Sequence, residues 1–161
     1  MRVIKDNEVV DDNWQWLQAP DDTGIPEGDV IIPFTYWQEH RNELIGKKSH
    51  WGICINGDDE TDDVAKDLAY FDLIAVEFPA FKDGRGYSHA RTLRDHYAYK
   101  GDIRAVGDVL RDQLYYLQRC GVSSFLIRAD KSIEEAIKGL SDFSVKYQTA
   151  ADGASPVYTK R

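Results

Sequence analysis

Long apolar runs are missing from this chain of 161 residues. Its opening stretch, MRVIKDNEVVDDNWQWL, carries charges every few positions. That leaves no segment suited to a signal peptide or a membrane span, and the expected address is the cytoplasm. Cysteine is scarce as well, with Cys54 in an apolar run and Cys120 near an expected helix end. Two isolated thiols without a CxxC argue against a disulfide framework and give redox-motif chemistry little footing. Positive charge is short: 20 Lys and Arg stand against 28 Asp and Glu, for a net charge of -8. General nucleic-acid binding needs basic surface to neutralise phosphates, so it is not expected.

Several catalytic signatures are also absent. The chain has no GxGxxG after a strand, no GxxxxGK[ST], no GxSxG and no haem-attachment motif, so no nicotinamide, nucleotide or triad enzyme is announced and no cofactor is expected. The four histidines, His40, His50, His89 and His96, make no i, i+4 pair and no HExxH, and all four read as non-ligands.

What is present suits one globular domain. Hydrophobic content of 42% and charged content of 30% are ordinary for a folded protein of this length. The charge is uneven: residues 1–81 hold 6 basic and 18 acidic side chains, residues 82–119 hold 8 and 5, and residues 120–161 hold 6 and 5. A basic island thus sits in an acidic chain, as solvated helix faces or as a site for an anion or an acidic partner.

Asp6-Asn7 between two short β-prone runs predicts an N-terminal hairpin. Residues 1–28 read as that hairpin and its connection, 29–149 as an α/β domain, and 150–161 as a flexible tail. From Val30 onward, short apolar runs (Val30 to Phe34, Trp51 to Asn56, Leu73 to Phe78, Ile103 to Val106, Ser123 to Ile127) alternate with helical periodicity. These are repeated βα units on a mostly parallel sheet, either an open doubly wound sheet or half of a (β/α)8 barrel. Capping boxes are expected at Thr35 to Gln38 and at Ser132 to Glu135. Apolar stripes predict helices through Val64, Ala65, Leu68 and Phe71, through Leu110, Leu114, Leu117 and Cys120 ending at Gly121, and through Ile133, Ala136, Ile137 and Leu140. A last strand is expected over Phe143 to Gln148. Trp14, Trp16, Tyr36 and Trp37 are expected to cover one edge of the sheet.

Both architectures place functional side chains in the loops after the strands. The densest such loop runs from Glu77 to Ser88, where Gly84, Arg85, Gly86 and Ser88 precede or open a helix and can hold a small anion between backbone amides and a guanidinium. The structural reading of the same residues is a tight turn, a cap at Ser88 and an Arg85 ion pair with Asp83 or Glu77. Asp108 is either a helix cap or a carboxylate turned toward Arg85. His89 is either a surface histidine or an acid and base beside the loop. Arg104, a strand residue with apolar neighbours, needs an internal ion pair or a ligand. Asn56, Asp58, Asp59 and Glu60, with Asp62 and Asp63 beyond, favour a helix N-terminus and lack the spacing of an EF-hand loop, so no metal is expected.

The stretch FPAFKDGRGYSHARTLR followed by KGDIRAVGDVLRDQLYYLQRCG resembles the signature of domain of unknown function 934, closely over Leu73 to Gly121. The family's pattern falls on Asp83, Gly84, Arg85, Gly86, Tyr87, Ser88, Arg94, Gly107, Asp108, Gln113, Arg119 and Gly121, and brings no established catalytic roles. The resemblance implies a probable oxidoreductase involved in sulfite reduction, through association with the hemoprotein of assimilatory sulfite reductase. Two expectations follow: an accessory protein that docks on that hemoprotein, or an enzyme that holds a small anionic sulfur compound with Arg85, Arg104 and the Gly84 to Ser88 loop, using Asp108 or His89 as proton carrier.

Overall fold

The computed structural model describes residues 1–20, 25–47, 50–78, 85–109, 111–128 and 130–146. Gly84, Asp83, Leu110 and the expected tail at 150–161 lie outside the described residues. The hairpin forms as the sequence predicts: β1 (Arg2–Lys5) and β2 (Glu8–Asp11) pair antiparallel through Lys5 and Glu8. Asp6 and Asn7 both take positive φ, 55° and 64°, which a two-residue turn matched to strand twist requires and which short polar side chains tolerate.

Among the described residues six further strands follow: β3 (Gln15–Trp16), β4 (Asp29–Pro33), β5 (His50–Ile55), β6 (Phe71–Phe78), β7 (Asp102–Gly107) and β8 (Ser124–Phe125). They complete an eight-stranded sheet in the order β2-β1-β8-β7-β6-β5-β4-β3, parallel from β3 through β8. The run β4 to β8 is sequential and never reverses, so the sheet is singly wound and curled into half of a barrel rather than doubly wound.

Among the described residues five helices alternate with these strands: α1 (Phe34–Ile45), α2 (Thr61–Ala65), α3 (Arg85–Asp95), α4 (Leu114–Arg119) and α5 (Ile133–Lys146). Their buried residues, such as Trp37, Leu93 and Leu117, join Val30, Ile53, Ile74 and Ile103 in one core on the convex face. The alternate strand residues Ile31, Cys54, Leu73, Ala75 and Val106 face the concave side, where Met1, Trp14 and Trp16 cover them. The N-terminal segment therefore fills the half-barrel's interior. The tryptophans divide between the two faces instead of sharing one edge. None of the described helices is long and apolar enough to cross a membrane.

Local differences from the sequence reading have local causes. Pro33 fixes its own φ at -60° and starts α1 at Phe34, so Thr35 is already helical and makes no capping box. Ser132 does cap α5, accepting the Glu135 amide hydrogen at 3.2 Å. The stripe from Val64 breaks early: α2 ends at Ala65, a single 3-10 turn spans Leu68–Tyr70, and Phe71 already pairs with Trp51. The fourth helix is shorter than its stripe, with a 3-10 turn at Arg111–Gln113 before α4. The expected last strand is helix as far as Lys146, and residues 147 and 148 lie outside the described residues.

Gly121 ends α4 with φ of 109°, and a Cβ there would also collide with the Arg94 side chain. The Arg94 guanidinium donates to the carbonyls of Gly121, Tyr99 and Gly101 at 2.9, 2.8 and 2.8 Å. One side chain thus ties the end of α3 to the turns entering β7 and β8.

Candidate functional site

Where the parallel strands end, the last residues of β4, β5 and β6 and the segments after β3, β4 and β5 line a cleft of about 230 Å³. It is lined by Trp16, Gln18, Pro33, Phe34, Thr35, Cys54, Asn56, Asp59 and Glu77. This is the end of a curled parallel sheet where loops converge over a rigid base, the usual place for a ligand site in such folds.

The loop after β5 is built to present Asp59 and Asn56. The Asn56 side-chain oxygen accepts the Asp58 amide hydrogen at 2.8 Å, and the Asp59 carboxylate accepts the Asn56 amide hydrogen at 2.9 Å. The Asp59 amide closes the turn on the Asn56 carbonyl at 3.2 Å. Asp62 and Asp63 then lie in the first turn of α2, where carboxylates oppose the helix dipole, as the sequence reading has it.

Helix α3 holds this loop from the side. His89 is only 8% exposed, so it is not a surface residue. Its Nε2 lies 3.0 Å from the Asn56 carbonyl oxygen and its Nδ1 lies 2.7 Å from Thr61 Oγ1. A carbonyl can only accept, so Nε2 carries a proton, and in the neutral ring Nδ1 accepts from the threonine hydroxyl. Arg85 Nη1 donates to Asp58 at 2.9 Å, and its guanidinium lies against Gly57. Arg85 and His89 therefore grip one loop, four residues apart on one helix.

The other candidates lie elsewhere. Asp108 follows β7 and accepts from Arg128 Nη1 at 2.7 Å, and α4 begins too late for Asp108 to cap it. Arg104 points into the concave interior, fully buried, with its guanidinium bonded to Ser124, Met1, Asp12 and Asp102. Ser88 is exposed on α3 and inside the helix rather than at its cap. Gly86 is buried against the Phe78 ring, closer than any Cβ could come. We expect Gly86→Ala to lower stability by about 1–3 kcal/mol, as overpacking does, in a denaturant melt. An unchanged midpoint would show that Phe78 yields and that packing does not fix this glycine.

None of the residues that line the cleft is among the expected site residues Gly84, Arg85, Gly86, Ser88, His89, Arg104 and Asp108. Glu77 lies between the buried Val76 and Phe78, and like Arg104 it is a charge in an apolar strand that needs a partner or a ligand. Cys54 and Trp16 share the concave face, which the period-two alternation of β5 marks once one face is known. Burial pushes the Cys54 thiol up, the charges of Glu77 and Asp59 push it further, and a hydrogen bond from Trp16 opposes them. It is a protonated thiol at neutral pH, unsuited to nucleophilic attack. Among the described residues no group of three or more His, Cys, Asp and Glu side chains is arranged to hold a metal ion.

The model of a family described as "Bacterial protein of unknown function (DUF934)" matches residues 52–158, more than half of the chain. No curated protein matches it.

Proposed function

For this chain, which belongs to the DUF934 family of bacterial proteins of unknown function, we propose an accessory role in assimilatory sulfite reduction: docking on the sulfite reductase hemoprotein through the acidic loop after β5. The observation that carries the reading is the pairing of charge at the strand ends. Arg85 is bonded to Asp58 and Arg128 to Asp108 there, and Arg104 to Asp12 and Asp102 in the interior, while the cleft itself is walled by Asp59 and Glu77. Carboxylates in a cleft repel a sulfite-like anion, whereas exposed carboxylates on a rim attract a basic protein surface. Asp58, Glu60 and Asp62 are all exposed on that rim. The pathway itself rests on the association that the family resemblance implies.

Binding to immobilised hemoprotein, measured at low and high salt, tests the proposal. Saturable binding that weakens with salt is expected, and reversing Asp58, Glu60 and Asp62 to lysine should weaken it about tenfold or more, mainly through the on-rate. Equal binding by the triple variant would remove this rim as the docking surface. No binding at all would sink the accessory reading and favour the second one, an enzyme holding a small anionic sulfur compound near Arg85, for which Arg85 must exchange Asp58 for the ligand.

A further inference from the structure

The strand-end cleft has a chemistry that docking through the rim does not use. Among the described residues its lining contains two carboxylates, Asp59 and Glu77, and no basic side chain. Asp59 is already oriented by the Asn56 amide at 2.9 Å. Glu77 is partly buried, and among the described residues no donor or cation meets its carboxylate. A carboxylate drawn away from water gains more from a counter-charge than one on the open surface.

The rest of the wall is aromatic and small. Phe34 is 3% exposed and closes one side. Trp16 adds its indole to the wall. The Cys54 thiol in the wall is neutral, and Gln18 adds a side-chain amide to the lining. Aromatic surface beside paired carboxylates is the combination that receives an organic cation, through ring quadrupole, apolar contact with the stem and charge-assisted hydrogen bonds.

We propose that the cleft between β4, β5 and β6 is a binding site for one cationic nitrogen group, an ammonium or guanidinium carried on a short apolar stem. A volume of about 230 Å³ suits a single head group and its stem, since sites for larger ligands start near about 300 Å³. Such a group can come from a free amine or guanidine, or from a lysine or arginine side chain of another protein. The site stands or falls independently of docking on the hemoprotein.

The test titrates the protein with n-butylammonium and n-butylguanidinium chloride at fixed ionic strength, with n-butanol and sodium butyrate as neutral and anionic counterparts. The indole N–H resonance of Trp16, assigned with Trp16→Phe, reports occupancy. A saturable shift from the cations alone is expected, with affinity at least tenfold lower in Glu77→Gln. A matching response to butanol, which needs no variant to detect, overturns the proposal, as does unchanged cation affinity in a folded Glu77→Gln protein. A terminally blocked Gly-Arg-Gly peptide separates the sources: binding tighter than butylguanidinium assigns the site to a partner's side chain, and exclusion of the peptide while the small cation binds assigns it to a free amine or guanidine.

Discussion

Replacing Arg104 with alanine should lower the stability of the fold by about 3–5 kcal/mol, the range for removing one member of a buried ion pair. The guanidinium has no exposed surface. Its Nε donates to Ser124 Oγ at 2.8 Å, Nη2 reaches Asp102 at 3.3 Å and also Asp12, and Nη1 lies 3.1 Å from the Met1 sulfur. Taking the cation away leaves two carboxylates in the concave interior. Lys5, 3.7 Å from Asp102, and the amino terminus, 3.8 Å from Asp12, offset part of that charge, which places the effect toward the lower end. A denaturant melt should show a lower midpoint with an unchanged slope. Asp12→Asn should cost less, and the double variant should be more stable than the sum of the two losses by more than about 1 kcal/mol, the mark of directly coupled residues. If Arg104→Ala melts like the parent protein, the ion pair does not support the fold and a ligand role regains interest.

That expectation follows from a residue whose burial was legible and whose direction was not. An arginine between Ile103 and Ala105 announces an internal partner, but nothing in β7 says that the partner is Asp12, 92 residues earlier in the chain. The same limit applies to architecture. Apolar runs and the Asp6-Asn7 turn encode individual strands, because those are local effects of alternation and backbone conformation. The choice between a reversing and a sequential strand order is made by long-range packing, and alternation within β4 to β8 fits either.

The family signature shows the difference at the level of side chains. A dense motif after a strand reads as a binding loop, yet several of its residues meet one another or hold backbone in the fold. Arg94 grips the Gly121 carbonyl, the Gln113 amide lies 3.3 Å from the Tyr87 hydroxyl, and Gly107 adopts φ of 90° where the chain passes the Phe78 backbone. These contacts join α3, β7 and α4, and fix the frame around the cleft rather than its lining. Within that lining, Glu77, Cys54 and Trp16 come from three separate strands. No spacing links them, and only the curl of the sheet brings them together.

The second large effect is expected at Asp67, between α2 and β6. Its Oδ2 accepts from the Trp37 indole at 2.8 Å and from Arg41 Nε at 2.9 Å, while Oδ1 accepts from Arg41 Nη2 at 2.9 Å. Trp37 is completely buried, so Asp67→Ala strands its N–H without an acceptor as well as removing a bidentate ion pair. A loss of about 2–3 kcal/mol is expected from those two terms together. The hydrogen bonds from Arg41 hold the Asp67 carboxyl below its ordinary value, aided by Trp37 and opposed by burial. Below the ordinary carboxylate pKa of about 3.9, the unfolded chain binds this proton more readily than the folded one. The charged pair's contribution is therefore fully present above that unfolded value and is lost as pH falls through the lower folded one. Asp67→Asn keeps one acceptor for Trp37 but lacks the charge, so its deficit against the parent protein should be constant from neutral pH to about pH 5 and should shrink as the pH drops below about 4. Thermal or denaturant melts of the two proteins across that range measure it directly. A deficit that stays the same at acid pH would mean that the Arg41 pairing adds nothing beyond the neutral hydrogen bond to Trp37.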